Sequence, residues 1–528
     1  MITLTIEGRQ VSVPEGTSIL EAGKAAGILI PHYCYHPGLP VAGVCRMCLV
    51  EVEKSPKLAP ACATAAADGQ VVHVHSESAL EARQGVLELL LINHPLDCPV
   101  CDQSGECELQ DYTYAEGRRS TRYREPKRVN PVEDFGGDVV YVPNRCILCT
   151  RCVRFMETVA EDPVLNVSDR GDHALIGKFE NQDLTHPWAG NVVELCPVGA
   201  LLSKDFLNKA RSWDMDRAAS VCPGCSQGCN IVIETRDNVV ARLRPRPNAD
   251  VNQYFMCDEG RLNYRWLNRR DRVAEPLVRR GDALIPVDWE IAIDAAARTL
   301  TGRRVTAIVS PGLSNEVLYL LRRVLERCGA ESEGVFAVRQ GPEAPLPGVP
   351  DLAVRADRAP NVQGAELMGF RRTDAPLDAV RSGDVLLLAD ADLSAAGAAV
   401  VSGALARAAD IIVIGTTVPA WAAGAGAALP LANMAEDEGT FTNLRGRVQR
   451  YRQAKSPPAL ARPGWSVLAD LLVALGDPIV VWTPAEAFSA LAQAHPAFAG
   501  MTYEGLGATG TVVADAREPR AVTAGIGA

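Results

Sequence analysis

Fifteen of the sixteen cysteines lie before residue 258, in four groups, and residues 259–528 hold only Cys328. No other feature limits the possible folds as strongly. Nothing at Met1 resembles an export signal: "MITLTIEGRQVSV" alternates like a strand and lacks a basic start with an apolar core. The compartment is then expected to be reducing, where cysteine groups bind metal and do not form disulfides.

The first group is Cys34, Cys45, Cys48 and Cys62, spaced C-x10-C-x2-C-x13-C. Ahead of it "ITLTIEG" and "QVSV" read as a hairpin. Ser18 to Glu21 reads as a capping box opening a short helix that Gly27 ends. Strand, strand, helix and cysteine loop resembles the β-grasp fold of plant-type ferredoxins, which implies a [2Fe–2S] centre. A four-cysteine zinc site is the alternative.

"HPLDCPVCDQSGEC" supplies the second group, His94, Cys98, Cys101 and Cys107. Three thiolates leave one iron corner open, and a neutral imidazole can fill it. Residues 83–93, with Val86, Leu87, Leu90 and Leu91 along one face, read as a helix delivering His94. Zinc held by three cysteines and one histidine competes.

In the third group, "CILCTRCVRFM", Cys146, Cys149 and Cys152 have the C-x2-C-x2-C spacing of a cubane cluster, but Met156 replaces the next cysteine. Two-cluster ferredoxins contain two C-x2-C-x2-C-x3-C-P runs, and the last cysteine of each serves the other's cluster. Downstream, Cys196-Pro197 fits the end of a second run whose earlier positions are His186, Ala189 and Val192. One complete ligand set is lost (156, 186, 189, 192) and the other, Cys146, Cys149, Cys152 and Cys196, is kept. A two-cluster fold reduced to one [4Fe–4S] centre accounts for both, with Met156 and Val192 as apolar filler.

Cys222, Cys225, Cys229 and Cys257, spaced C-x2-C-x3-C-x27-C, flank "NIVIETRDNVVARLRP", a hairpin turning at Arg236 to Asn238. The spacing fits the [4Fe–4S] domain of molybdopterin oxidoreductases, with a zinc ribbon as the alternative.

Together these groups resemble the large iron–sulfur subunit of bacterial respiratory complex I, the proton-pumping NADH:quinone oxidoreductase. The resemblance implies one [2Fe–2S] and three [4Fe–4S] clusters. They would relay single electrons from the flavin of a neighbouring NADH-binding subunit toward quinone, without a complete active site on this chain. The fourth centre would lie off the main route. NAD and FMN would sit on that partner, and contact with the cytoplasmic face of the inner membrane would come through partner subunits. The fold expected is multidomain, α+β and α/β, divided at 1–77, 78–117, 118–216, 217–272 and 273–528.

The last segment resembles a truncated molybdopterin-oxidoreductase body, in "RVAEPLVRRGDALIPVDWEIAI", "SPGLSNEVLYLLRRVL" and "AEDEGTFTNLRGRVQR". "VTAIVS", "DVLLLAD" and "DIIVIGT" are apolar runs beside helical stretches, as βαβ units require. Glu259 stands where active relatives carry a lysine, Cys328 reads as a core thiol, and no family cap domain follows, so no molybdopterin is expected. The rivals are a soluble NAD-linked formate dehydrogenase, an iron-only hydrogenase, and a zinc-stabilised scaffold.

A net charge of −11 argues against nucleic acid as partner. The uncharged stretch 411–435 is broken by Pro419, Pro430 and several glycines, so a buried strand and loop is expected, not a membrane span. "GLGATG" at 505–510 lacks the strand before and helix after that a dinucleotide fingerprint needs. Residues 117–128 read as a basic linker, and 517–528 as a loose tail.

Overall fold

Thr3 and Thr5 alternate with Leu4 and Ile6 in the first strand, and only the two apolar residues are buried. Strand Ile2–Ile6 pairs antiparallel with Arg9–Val13 through a turn at Glu7 and Gly8. Both turn residues have positive φ (48° and 75°), matching the twist of a tight hairpin. In this computed structural model residues 1–179, 182–391, 393 and 396–514 are described. They form two compact units, Met1–Met215 with Leu346–Asp351, and Asp216–Pro345 with Leu352–Ala528.

In the first unit the hairpin joins a five-stranded sheet in the order Arg9–Val13, Ile2–Ile6, Val71–His73, Leu49–Val52, Ala59–Pro60. Helix Ile19–Ala25 buries Ile19, Leu20 and Ala22 with Leu4, Ile6, Val50 and Val72 in one core, the expected β-grasp. Gly27 ends the helix at φ +69°. The capping box is only half made. Ser18 accepts from the Glu21 N–H (3.2 Å), while Glu21 accepts from the Tyr35 hydroxyl (2.7 Å).

The helix before His94 spans Glu77–Leu91, not 83–93. It starts six residues earlier, capped by Ser76, and the buried Arg83 inside it donates to Glu116 (3.1 Å) and the Val74 carbonyl (2.8 Å). Lys127 of the basic linker donates to the carbonyls of Leu91 and Ile92, closing that helix's C-terminus. Further along are a three-stranded sheet (Leu201–Ser203, Val139–Tyr141, Glu133–Gly136) and the hairpin Leu165–Ser168 with Leu175–Lys178. Two short helices, Arg151–Arg154 and Asn191–Leu195, carry the third cysteine group.

The second unit opens with the antiparallel strands Asp216–Val221, Asn230–Arg236 and Val239–Pro245. Asp237 and Asn238 make the expected turn at φ 50° and 62°. Beyond them is an eight-stranded sheet. Six strands run parallel, in the order Ala427–Pro430, Asp410–Gly415, Val385–Ala389, Val305–Val309, Glu333–Phe336, Arg371–Arg372. The hairpin Leu277–Arg280 with Ala283–Pro286 joins antiparallel at the Ala427–Pro430 side. All three runs expected as βαβ strands are central and buried.

Stretch 411–435 holds a second strand, Ala427–Pro430, where only a loop was expected. Residues 505–510 are turns followed by the short strand Thr511–Val512, as the rejected fingerprint requires. Cys328 caps helix Asn315–Arg327 and is half-buried, not a full core residue, with its thiol donating to Val324 (3.1 Å). The stretch 517–528 lies outside the described residues. Among these residues no helix is long and apolar enough to cross a membrane.

Among the carboxyls buried in the second unit are Glu316 and Asp437. Glu316 accepts from the Thr440 N–H (2.9 Å) and hydroxyl (2.8 Å), and Asp437 accepts from the Glu438 N–H (2.7 Å). Burial pushes each up to about 7. Below about pH 4 both folded and unfolded carboxyls are protonated, whereas between there and pH 7 only the folded ones hold their protons. That stabilisation is lost as pH rises through about 7. Urea melts of this unit are expected to lose on the order of 3 kcal/mol between about pH 5 and pH 8. Glu316→Gln should flatten that slope.

Candidate metal centres

Three cysteine groups lie in the first unit and the fourth in the second. Each is brought together by turns that only a few backbone conformations allow.

In the first group Cys34, Cys48 and Cys62 are buried and Cys45 half-buried. The Cys34 thiol hydrogen-bonds to those of Cys45 and Cys62, and Cys62 also to Cys48, so the four sulfurs form one chain. These bonds pull Cys34 and Cys48 down and push Cys45 and Cys62 up. The Cys34 N–H points at Cys45 Sγ (3.4 Å), and Arg46 between the paired cysteines is left-handed (φ 59°). Backbone N–H groups turned toward sulfur are what an anionic cluster needs.

The second group is less enclosed. Cys101 and Cys107 are buried and Cys98 is exposed. Burial pushes the Cys107 thiol up to about 11, with Cys101 and Cys98 close enough to add to it. His94 lies just past the end of helix Glu77–Leu91, and its Nδ1 is buried with no hydrogen-bond partner. Burial, aided by Arg145 and Lys127, depresses the imidazole to about 4, leaving it neutral and able to donate a lone pair. Arg211 donates to the Cys101 and Cys98 carbonyls (2.9 and 3.0 Å), fixing the loop. If His94 fills the fourth corner, His94→Cys adds a negative ligand, and redox titration should show that centre's potential fall. An unchanged titration would remove His94 as ligand.

All four sulfurs of Cys146, Cys149, Cys152 and Cys196 line one cavity, together with Tyr141, Ile147 and Ile176. Leu148 and Thr150 are both left-handed (φ 50° and 59°), and the Leu148 N–H approaches Cys146 Sγ (3.4 Å). The Tyr141 hydroxyl bonds to the Cys146 thiol. Burial holds Cys146 at about 11 and Cys149 at about 12, so a metal must displace protons to bind. Met156, Ala189 and Val192, at positions of the lost ligand set, are buried apolar residues. His186, the fourth, accepts from the Trp188 N–H (3.3 Å).

This group abuts the second. The Glu108 N–H, next to Cys107, donates to the Pro197 carbonyl, next to Cys196 (3.0 Å). Gly199 leaves no room for a side chain, since a Cβ there would stand 2.3 Å from Cys101 Sγ.

In the second unit Cys222 follows strand Asp216–Val221 and Cys229 precedes strand Asn230–Arg236, with the Cys222 N–H bonded to the Cys229 carbonyl (2.8 Å). Cys257 caps helix Asp258–Leu262 and accepts from the Gly260 N–H (3.3 Å). All four are buried, and burial pushes Cys222 up to about 12. A Cβ on Gly260 would lie 3.0 Å from Cys222 Sγ and 3.3 Å from Cys257 Sγ, so that glycine lets both sulfurs face it. Glu259 is paired with Arg358 (3.0 Å).

Among the described residues no three His, Cys, Asp or Glu side chains close around a single ion. Ligands of a cluster each hold a different iron corner or share one of two irons, and stand further apart. Buried thiols, inward N–H groups and the unpartnered imidazole fit that donor chemistry.

Five family models match the chain: "2Fe-2S iron-sulfur cluster binding domain" over 1–77 and "NADH-ubiquinone oxidoreductase-G iron-sulfur binding region" over 83–122; "NADH-quinone oxidoreductase subunit 3, ferredoxin-like domain" over 136–202 and "Molybdopterin oxidoreductase Fe4S4 domain" over 215–269; and "Molybdopterin oxidoreductase" over 394–474. The G subunit of the Rickettsia bellii NADH-quinone oxidoreductase is 38% identical over 338 residues, 63% of this chain and 50% of that one. The G 2 subunit of the Rhizobium meliloti NADH-quinone oxidoreductase is 41% identical over 62% of this chain and 39% of its own. The mitochondrial NADH-ubiquinone oxidoreductase 78 kDa subunit of Candida albicans is 40% identical over 63% and 47%. The chain thus spans about half the length, or less, of the curated relatives it matches. Over its first two thirds the chain carries [2Fe–2S] and [4Fe–4S] binding domains in this order and is similar to the large iron–sulfur subunits of NADH:quinone oxidoreductase.

Proposed function

We propose that the chain relays single electrons within an NADH:quinone oxidoreductase. Cys34, Cys45, Cys48 and Cys62 hold a [2Fe–2S] cluster. His94 with Cys98, Cys101 and Cys107, then Cys146, Cys149, Cys152 and Cys196, then Cys222, Cys225, Cys229 and Cys257, hold three [4Fe–4S] clusters. The observation that carries this reading is the convergence of Cys146, Cys149, Cys152 and Cys196 on one cavity. The buried, unpartnered Nδ1 of His94 supports it, although His94 lines a pocket with Cys146 and not with the three thiols of its own group. When bound, the clusters supply reversible one-electron storage. The protein's part is to give up thiol protons on loading, exclude water from buried sulfurs, and aim N–H groups at them. The flavin, NADH and quinone sites belong to partner subunits. The chain works at the cytoplasmic face of the inner membrane without molybdopterin, in the five segments set out above.

Iron analysis of the purified chain tests this. About 14 iron atoms per chain and cluster EPR signals are expected. A colourless protein carrying zinc would overturn it, and stoichiometric molybdenum would overturn the loss of molybdopterin.

A further inference from the structure

Two arginines share one helical turn between ligands of the third site, and both are spent on the backbones of neighbouring sites. Arg151, 5% exposed, donates through Nη2 to the carbonyl of Tyr35 (2.8 Å), next to Cys34. Its Nη1 donates to the carbonyl of Leu195 (3.3 Å), next to Cys196. Both reach the Glu108 carboxylate (3.4 Å), next to Cys107. One guanidinium therefore touches residues adjoining ligands of three sites. Arg154 donates through Nη2 to the carbonyls of two ligand residues, Cys34 (2.5 Å) and Cys149 (3.2 Å), and through Nη1 to Pro40.

Burying Arg151 one turn from the half-buried Arg154 is costly, and Glu108, reached only at 3.4 Å and 37% exposed in its side chain, is a weak counterweight. The Arg151 Nε–H is also buried without a partner among the described residues, a donor left for an acceptor. Thiolate-bound clusters are anionic, and both the missing negative charge and the missing acceptor are what they would provide.

We propose that Arg151 and Arg154 are the positioning residues that set the potentials of the first three centres. Their fixed charges favour the more negative, reduced state of each, and their hydrogen bonds hold the three ligand loops in one frame. Lysine would keep the charge but could not reach the carbonyls in a planar fork.

This rests on the cluster assignment above. The experiment is an EPR-monitored redox titration of the assembled complex bearing Arg151→Gln, Arg151→Lys, Arg154→Gln or Glu108→Gln. Arg154→Gln should make reduction of the first and third centres about tenfold less favourable, about 59 mV for a one-electron couple. Arg151→Gln should lower the third centre most, while Arg151→Lys stays near the unaltered potential. Glu108→Gln, which removes that counter-charge, should shift the second and third centres upward. Potentials unmoved in Arg154→Gln and Glu108→Gln, with signals intact, would overturn the proposal, as would a lysine variant shifted as far as the glutamine one. If Arg151→Gln fails to assemble, Glu108→Gln still decides. Absence of cluster signals from the unaltered protein would instead sink the cluster assignment.

Discussion

Cys196→Ala is expected to erase one tetranuclear EPR signal, lower iron by about four atoms per chain, and reduce NADH-driven quinone reduction by the assembled complex to background. Cys196 stands 43 intervening residues after Cys152, at the end of helix Asn191–Leu195, and is buried in the cavity that holds its three partners. Among the described residues no other cysteine lines that cavity, so nothing there can substitute. A cluster held across that distance is also a cross-link. The loop-closure relation for a covalent bridge of that length gives about 4 kcal/mol, so the variant's first unit should also melt earlier. Cys328→Ala, by contrast, should leave iron content and every signal unchanged.

Glu436→Ala is expected to destabilise the second unit by about 3–5 kcal/mol, read from urea denaturation. Glu436 is 2% exposed and sits between Arg272 (3.0 and 2.9 Å) and Lys455 (3.3 Å). Arg272 also donates to the carbonyls of Leu431 (2.7 Å) and Thr416 (3.2 Å), beyond the ends of two parallel strands. Alanine would leave two buried cations sharing no anion, and their desolvation would go uncompensated. The comparison is Arg269→Ala, whose pair with Asp271 is exposed on both sides (42% and 69%) and should cost about 0–1 kcal/mol.

The cysteine groups stand out in the sequence because their spacing is a local pattern. Hairpins at Glu7-Gly8 and Asp237-Asn238 were legible because turn and alternation agree. What escaped depends on contacts distant in sequence. Helix Glu77–Leu91 starts early because Arg83 finds Glu116, 33 residues on, and Ser76 provides the cap. Glu21 looks like half of a capping box, but Tyr35 offers it a better donor. Strand Ala427–Pro430 is rich in alanine and ends in proline, a weak strand by composition, and forms because Asp410–Gly415 and Leu277–Arg280 pair with it. Nothing in the sequence singles out Arg151 and Arg154. Only the fold shows that their acceptors are carbonyls more than a hundred residues away.

Gly199 bears on how inherited changes in such a chain are interpreted. It follows the last cysteine of the third group, yet the space it leaves is filled by Cys101 of the second. Any side chain there would push on a sulfur belonging to a different centre. A carrier of a Gly199 variant would show the spectroscopic defect of a site whose own residues are all intact. Assigning genotype to phenotype by nearest ligand along the chain would then blame the wrong centre.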